Sequence, residues 1–224
     1  MTSPNYIITV LPISILKISS KETINSLYKI LNKGYEKPTL EYKIVLNPRI
    51  KFPEVFFEDL GFLEKQEKCY FYVMVNKDLE RSTQFSKTFR QLKFQTNDNL
   101  KWYTSSSADL DFYFPIENVL ATVGFKYLEE TRYEVTGFTS FGKGCGIDIF
   151  EESLAHFKNE ISCSNLVAKV IMEHNLVGYY ESKLGFREVK RLLIKKDELL
   201  SSGFEHGFLC TQDFHISILE RQLD

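Results

Sequence analysis

The sequence predicts an α/β chain of the α+β kind: a mixed, mostly antiparallel central sheet of about six or seven strands with helices on both faces. Three observations carry this. Short runs of β-branched and aromatic residues recur along the chain, and stripes with apolar steps of three and four lie between them. From residue 118 onward the order is strand, strand, helix, strand, helix, strand, strand, which sets antiparallel flanks around a parallel crossover. With 224 residues and 43% hydrophobic content, the chain can bury a substantial core, and one domain over residues 1–224 is the economical reading.

Residues 6–11 (YIITVL) form the first strand. Ser19-Ser20-Lys21-Glu22 offers a capping box, after which Ile24, Leu27, Tyr28 and Leu31 make a helix stripe that Gly34 is expected to end. Pro38, Pro48 and Pro53 break up residues 35–68, where residues 54–63 (EVFFEDLGFL) predict a short helix. Residues 69–75 (CYFYVMV) are an apolar strand. Residues 77–117 read as an insertion in the hairpin between that strand and the next; they are polar up to 107 and carry Trp102.

Residues 119–128 and 132–139 are strands joined at Glu129-Glu130-Thr131. A long helix over 144–160 follows, with Ile147, Phe150, Leu154, Phe157 and Ile161 on one stripe. Residues 166–172 (LVAKVIM) are a β-branched strand. Residues 173–184 are a short helix closed by Gly185, with Phe186 just beyond it. Residues 186–194 and 207–219 close the sheet as an antiparallel pair, and the connection over 197–206 holds a short helix.

Net charge of −2 and an isoelectric point near 6.1 leave no basic footprint for nucleic acid and no polybasic face for a membrane. No window reaches the apolar length of a membrane span, and the N-terminus lacks the pattern of a signal peptide. Cys69, Cys145, Cys163 and Cys210 are scattered without C-x-x-C spacing. That predicts no metal site and reduced thiols, in the cytoplasm or else the nucleus.

The chemistry concentrates at residues 140–147 (SFGKGCGI), where a strand turns through Gly142, Gly144 and Gly146 into a helix. The first turn of a helix has unpaired N–H groups and positive dipole potential, and residues without Cβ let a phosphate approach them. Lys143 adds a cation at the rim, whereas Asp148 opposes an anion. The spacing does not fit G-x-G-x-x-G, and the hairpin upstream does not suit an all-parallel dinucleotide unit.

Together with Tyr180-Glu181-Ser182-Lys183-Leu184-Gly185-Phe186, this loop resembles the GCN5-related N-acetyltransferase (GNAT) superfamily. That superfamily has a pyrophosphate loop of pattern Gln/Arg-x-x-Gly-x-Gly/Ala, met here by Phe141-x-x-Gly144-x-Gly146, and a later Tyr-Glu-x-x-Gly-Phe segment. Phe141 replaces the usual polar residue, and the tyrosine segment is one residue longer. The resemblance spans residue 118 to the C-terminus.

The resemblance implies a fold in which the strands at 132–139 and 166–172 splay apart around the pantetheine arm of acetyl-CoA, the acetyl donor. Cofactor contacts are then expected from Phe138, Thr139, Phe141, Gly142, Lys143, Gly144, Cys145, Gly146 and Ile147, with Asn175 either bonding the arm or capping its helix. Tyr180 is expected as general acid toward the thiolate, with Tyr179 beside it, and Glu134 as general base, with His174 the other titratable group nearby. The acceptor is an amine, small or peptidic, and the chain a monomer or homodimer. Two readings stand: an N-acetyltransferase acting by direct attack on the thioester, or an inactive acyl-CoA-binding and interaction module of the same fold.

Overall fold

The computed structural model describes residues 5–81, 85, 89–90, 100–103, 111–199 and 208–223. Nine strands form one sheet: β1 (Tyr6–Pro12), β2 (Tyr70–Asn76), β3 (Phe89–Arg90), β4 (Leu100–Tyr103), β5 (Val119–Glu129), β6 (Arg132–Ser140), β7 (Asn165–Ile171), β8 (Arg187–Ile194) and β9 (Phe214–Gln222). Their order is β3-β4-β1-β2-β5-β6-β7-β9-β8. Neighbours are antiparallel except β1 with β4 and β6 with β7. The predicted strands are present, the last of them shifted to Phe214–Gln222 from the expected 207–219, and β3 and β4 come from the 77–117 segment, which extends the sheet past β1. Trp102 lies on β4; its side chain and residues 104–110 are outside the described residues.

The helices are α1 (Ile13–Leu16), α2 (Lys21–Tyr42), α3 (Phe56–Asp59), α4 (Cys145–Glu160) and α5 (Val177–Leu184). Two apolar layers explain the sandwich. On one face Leu27, Ile30 and Leu31 of α2 meet Phe56, Leu60, Phe62, Phe71 and Val73, and Phe85, Phe112 and Phe114 of the insertion join them. On the other, Ile149, Phe150, Leu154 and Phe157 of α4 and Leu184 of α5 meet Tyr72, Val123 and Phe125. A buried phenylalanine is worth roughly 1.5–3 kcal/mol, so these layers rather than helix propensity fix the elements.

Helix α2 departs from expectation. Ser20 caps it as predicted, accepting from the Thr23 amide at 3.2 Å, but the helix runs through Gly34 and Pro38 to Tyr42. Gly34 is a packing residue: a Cβ there would stand 2.4 Å from Thr139 Cγ2 on β6. Without a side chain, α2 rests directly on the end of β6. The amide that Pro38 lacks would have bonded the Gly34 carbonyl, and the surrounding packing carries the helix past that gap.

Residues 173–184 are likewise not one helix. Met172–His174 is a 3₁₀ turn, and Asn175 takes a left-handed backbone at φ 55. That ends the turn before α5 begins. Asn175 is exposed and does not cap α5, whose N-cap is Leu176. Gly185 closes α5 at φ 68 as predicted. Between α2 and the β8–β9 pair, Val45 bridges to Cys210, and the Leu46 amide donates to Leu209 O at 3.0 Å. The C-terminal end of α2 is thereby tied to the final hairpin.

Two outcomes are expected. Gly34→Ala should lower stability by about 1–3 kcal/mol in denaturant unfolding, because overpacking exceeds the roughly 1 kcal/mol gain in helix propensity; a stabilised variant would show that the contact relaxes freely. The second concerns His156 of α4, buried with its Nδ1 2.9 Å from Tyr72 Oη, where burial drops its pKa to about 4. The folded chain keeps this imidazole neutral, so its contribution is complete above pH 6.5 and is lost as pH falls toward 4, by at most about 3 kcal/mol. Urea titrations across that window should show the loss in the wild type and a smaller one in His156→Gln, which retains only the part due to His174 and the carboxylates.

Candidate active site

The site begins where β6 parts from β7. Only Arg132, Tyr133 and Glu134 pair with β7, opposite Asn165, Leu166 and Val167. From Val135 to Ser140, β6 has no strand partner on that side among the described residues. Its other side stays on β5 but bulges: Thr122 faces Thr139 and Gly124 faces Thr136, so Gly137 and Phe138 together oppose Val123. Gly137 takes φ 57, which favours glycine. Thr122 secures the bulge, donating to Gly137 O at 2.6 Å, with its hydroxyl 2.8 Å from that of Thr139.

The extra residue resets the alternation of side chains. Phe138 turns toward α4 and α5, with its ring 6.1 Å from Phe150 and 6.0 Å from Tyr180. Thr139 turns to Gly34 on α2. Beyond it the chain enters the glycine turn. Gly144 is the N-cap of α4 at φ 86, and a Cβ there would meet nothing within 4 Å. Ser140 Oγ and the Cys145 amide both bond Gly142 O, while Ile147 and Asp148 amides bond Gly144 O. Among the described residues, the amides of Gly142, Lys143, Gly144 and Gly146 donate to no backbone carbonyl. These amides stand at the start of α4, where the first N–H groups of a helix have no intrahelical partner.

Of the expected cofactor residues, Phe141, Lys143 and Gly144 are exposed on the loop, whereas Thr139 and Gly146 are buried and Phe138 packs toward α4 and α5. Phe141 is 40% exposed on this loop, and Lys143 is exposed beside it. Cys145 packs beneath, its Sγ 2.7 Å from where a Gly142 Cβ would be. Burial, with Asp148 adding, raises its thiol pKa, so it stays protonated at neutral pH. Tyr179 of α5 closes on the same turn: a Gly146 Cβ would stand 2.9 Å from its hydroxyl. Asn175 makes no side-chain cap and stands exposed ahead of α5.

Tyr180 is buried between Phe138 and Phe186, edge-on to both. Burial raises its pKa above the ordinary value, with the Tyr35 and Tyr179 phenols adding. Tyr35 belongs to α2 and Tyr180 to α5, on opposite faces of the sheet.

Glu134 sits at the last paired position, 10% exposed, with both carboxylate oxygens occupied: Lys126 Nζ is 3.2 Å from Oε1 and Lys169 Nζ is 2.9 Å from Oε2. Lys169 reaches across from β7, so an ion pair ties the strands where the ladder ends. His174 stacks on Tyr42 with ring centroids 5.2 Å apart. Burial lowers its pKa against the opposing influence of Glu173, and its Nε2 has no partner. Sequence reasoning missed Tyr35, Lys126 and Lys169. The signal for the lysines was available: each interrupts an otherwise apolar strand.

Residues 1–223 match the family described as Sporulation protein RMD6. The Saccharomyces cerevisiae protein of that name is 41% identical over 219 residues, 96% of this chain and 95% of the yeast protein. The chain belongs to the RMD6 family. Solved structures add the fold. An N-acetyltransferase from Staphylococcus aureus Mu50 superposes with a TM-score of 0.53 at 10% identity, over 98% of each chain. A spermidine N-acetyltransferase from Vibrio cholerae, in complex with CoA and spermine, gives 0.54 at 8% identity, over 97% of this chain and 95% of that one. An acetyltransferase from Streptococcus agalactiae 2603 gives 0.53 at 12%, over 98% and 99%. At these identities the likeness is one of fold, and the fold of this RMD6 family member is GNAT-like.

The Glu134 cluster yields a test. Glu134→Leu leaves the nearly buried Lys126 without a counter-charge and should cost about 3 kcal/mol. Lys169→Met removes a half-exposed partner and should cost less than about 1 kcal/mol. Denaturant unfolding of both variants checks this, and equal losses would mean that the pair with Lys169, not the one with Lys126, carries the effect.

Proposed function

We propose that the protein is an N-acetyltransferase that transfers an acetyl group from acetyl-CoA to a primary amine by direct attack. The observation carrying this reading is that the amides of Gly142, Lys143 and Gly144, which donate to no backbone carbonyl among the described residues, lie directly beyond a strand edge with no strand partner there. Such amides suit a diphosphate, and the open edge from Val135 to Ser140 suits an extended amide-bearing arm. The residues fit the group: nothing crowds Gly144, and backbone rather than the missing polar side chain at 141 supplies the donors.

Acetyl-CoA, when bound, supplies an acetyl group activated as a thioester. Proximity then does much of the work, with the split holding donor and acceptor in one place. Tyr180, kept protonated by burial, donates its proton to the departing thiolate. In this reading Glu134, held by two lysines, is a positioning residue rather than the base, and it fixes the end of the β6–β7 ladder. The proton lost by the attacking amine passes to water, or to His174 on the α2 side. Phe141 keeps the second reading, an inactive acyl-CoA-binding module, open to the same measurements.

Calorimetric titration with acetyl-CoA and with CoA is the first test; saturable binding of order micromolar, about −8 kcal/mol, is expected. Thiol release that depends on an added amine then separates enzyme from module. Gly144→Asp should weaken cofactor binding more than tenfold, since it places a carboxylate among the amides and strains a left-handed backbone. Tyr180→Phe should lower kcat on the order of 10²-fold and leave acetyl-CoA affinity within about twofold. Full turnover by that variant would remove Tyr180 from the reaction.

A further inference from the structure

The gap between β6 and β7 carries a primary amine of its own. Lys169 lies on β7 just past Val167, where the ladder ends, and its side chain is 49% exposed. The register that sets Glu134 opposite Val167, carried on by one strand period, puts Lys169 across from Thr136 of the open edge. Its Nζ crosses the gap to Glu134 Oε2 at 2.9 Å. Glu134 is the residue directly before Val135, where the open edge begins. The amine thus stands at the inner end of that edge, on the α2 face, whereas Tyr180 belongs to the layer of α4 and α5 on the other face.

Length brings an acyl group to the same level. The edge from Ser140 back to Thr136 spans about 13 Å at the rise of a strand. An arm of roughly thirteen bonds, as between a diphosphate and a thioester sulfur, extends about 15 Å. A diphosphate on the amides beyond Ser140 therefore leaves the thioester alongside Thr136, facing Lys169. Other lysines are placed differently. Lys126 is nearly buried, paired with Glu134 Oε1 and packed on Gly61. Lys143 is exposed at the diphosphate end of the path, and Lys190 on the edge strand β8. Lys169 is held only by its pair with Glu134, and a half-exposed pair of that kind restrains a flexible amine weakly.

We infer that Lys169 is an acetyl acceptor within its own chain, taking the acetyl group of acetyl-CoA bound along the β6 edge. This rests on the acetyl-transfer reading. The Lys169 ammonium first gives one proton to water. The nitrogen lone pair then forms the C–N bond while the thioester C–S bond breaks, its electron pair remaining on sulfur. Tyr180 gives that sulfur a proton, and the second nitrogen proton passes through water to restore the phenol. Lys169 ends as a neutral acetamide, and Glu134 keeps Lys126 as its cation.

The full chain is incubated with saturating acetyl-CoA and no added amine. Acetyl groups are counted by intact mass and located by peptide mapping, and acetyl-CoA affinity is measured alongside by calorimetry. A single acetyl group is expected on Lys169, forming on the order of 10²-fold faster than on Lys190, which reports uncatalysed acetylation. Its rate constant should hold when the protein is diluted, as a step within one chain requires. Tyr180→Phe should slow this acetylation on the order of 10²-fold with affinity retained. Lys169→Arg, which keeps a cation beside Glu134, should bind acetyl-CoA like the wild type and gain no acetyl group beyond the background. Equal acetylation of Lys169 and Lys190 overturns the inference, as does a rate constant that falls on dilution. Wild-type protein that binds acetyl-CoA and leaves Lys169 unmodified also overturns it. Failure of the wild type to bind acetyl-CoA at all sinks the acetyl-transfer reading instead.

Discussion

The parting of β6 from β7 is the constraint on which the rest of the structure depends. A parallel ladder that continued past Glu134 and Val167 would consume the edge of β6 and close the sheet between α2 and α5. Three local features accompany its end. The bulge at Gly137 and Phe138 turns the strand and reverses its side-chain alternation. Thr122 fixes that bulge from β5. Gly34 lets α2 sit on Thr139 closely enough that the displaced strand end is supported from the other face. Each is a small residue or a hydroxyl at a crowded position, where added bulk has no neighbour free to yield.

The charges at the divergence follow from the same geometry. Once the ladder ends, backbone hydrogen bonds no longer join the two strands, and Lys169 spans the gap to Glu134 in their place. A carboxylate shut between strands needs partners, and Lys126 supplies the second from β5. A carboxylate so engaged holds β5, β6 and β7 at a fixed separation.

Much of this was legible in the sequence. The hairpin at residues 119–140, the stripe of α4 and the Gly185 stop are local patterns, and local patterns survive folding. The glycine turn was legible for the same reason, because three residues without Cβ before an amphipathic stripe have few other uses. Gly34 was misread because a helix stop and a close-packing glycine look alike until the opposing strand is known. Glu134 was found by its strand position, but its two lysines stand at sequence separations of 8 and 35 residues, which no local rule connects. The place of Tyr35 was invisible for a stronger reason: it lies on α2 only because that helix runs on through a glycine and a proline, each of which ordinarily ends a helix.

That continuation of α2 has a structural consequence. Had the helix stopped at Gly34, the chain beyond it would leave the β6 face from a different point. The helix instead holds Tyr35 one residue beyond the contact with Thr139, and its C-terminal end is tied to residues 209–211. The α2 side of the site is therefore anchored at both ends, by packing on β6 and by pairing near β9. The opposite side is anchored by Tyr179 against Gly146. Both faces of the β6 end are thereby held by separate elements, without a loop having to order first.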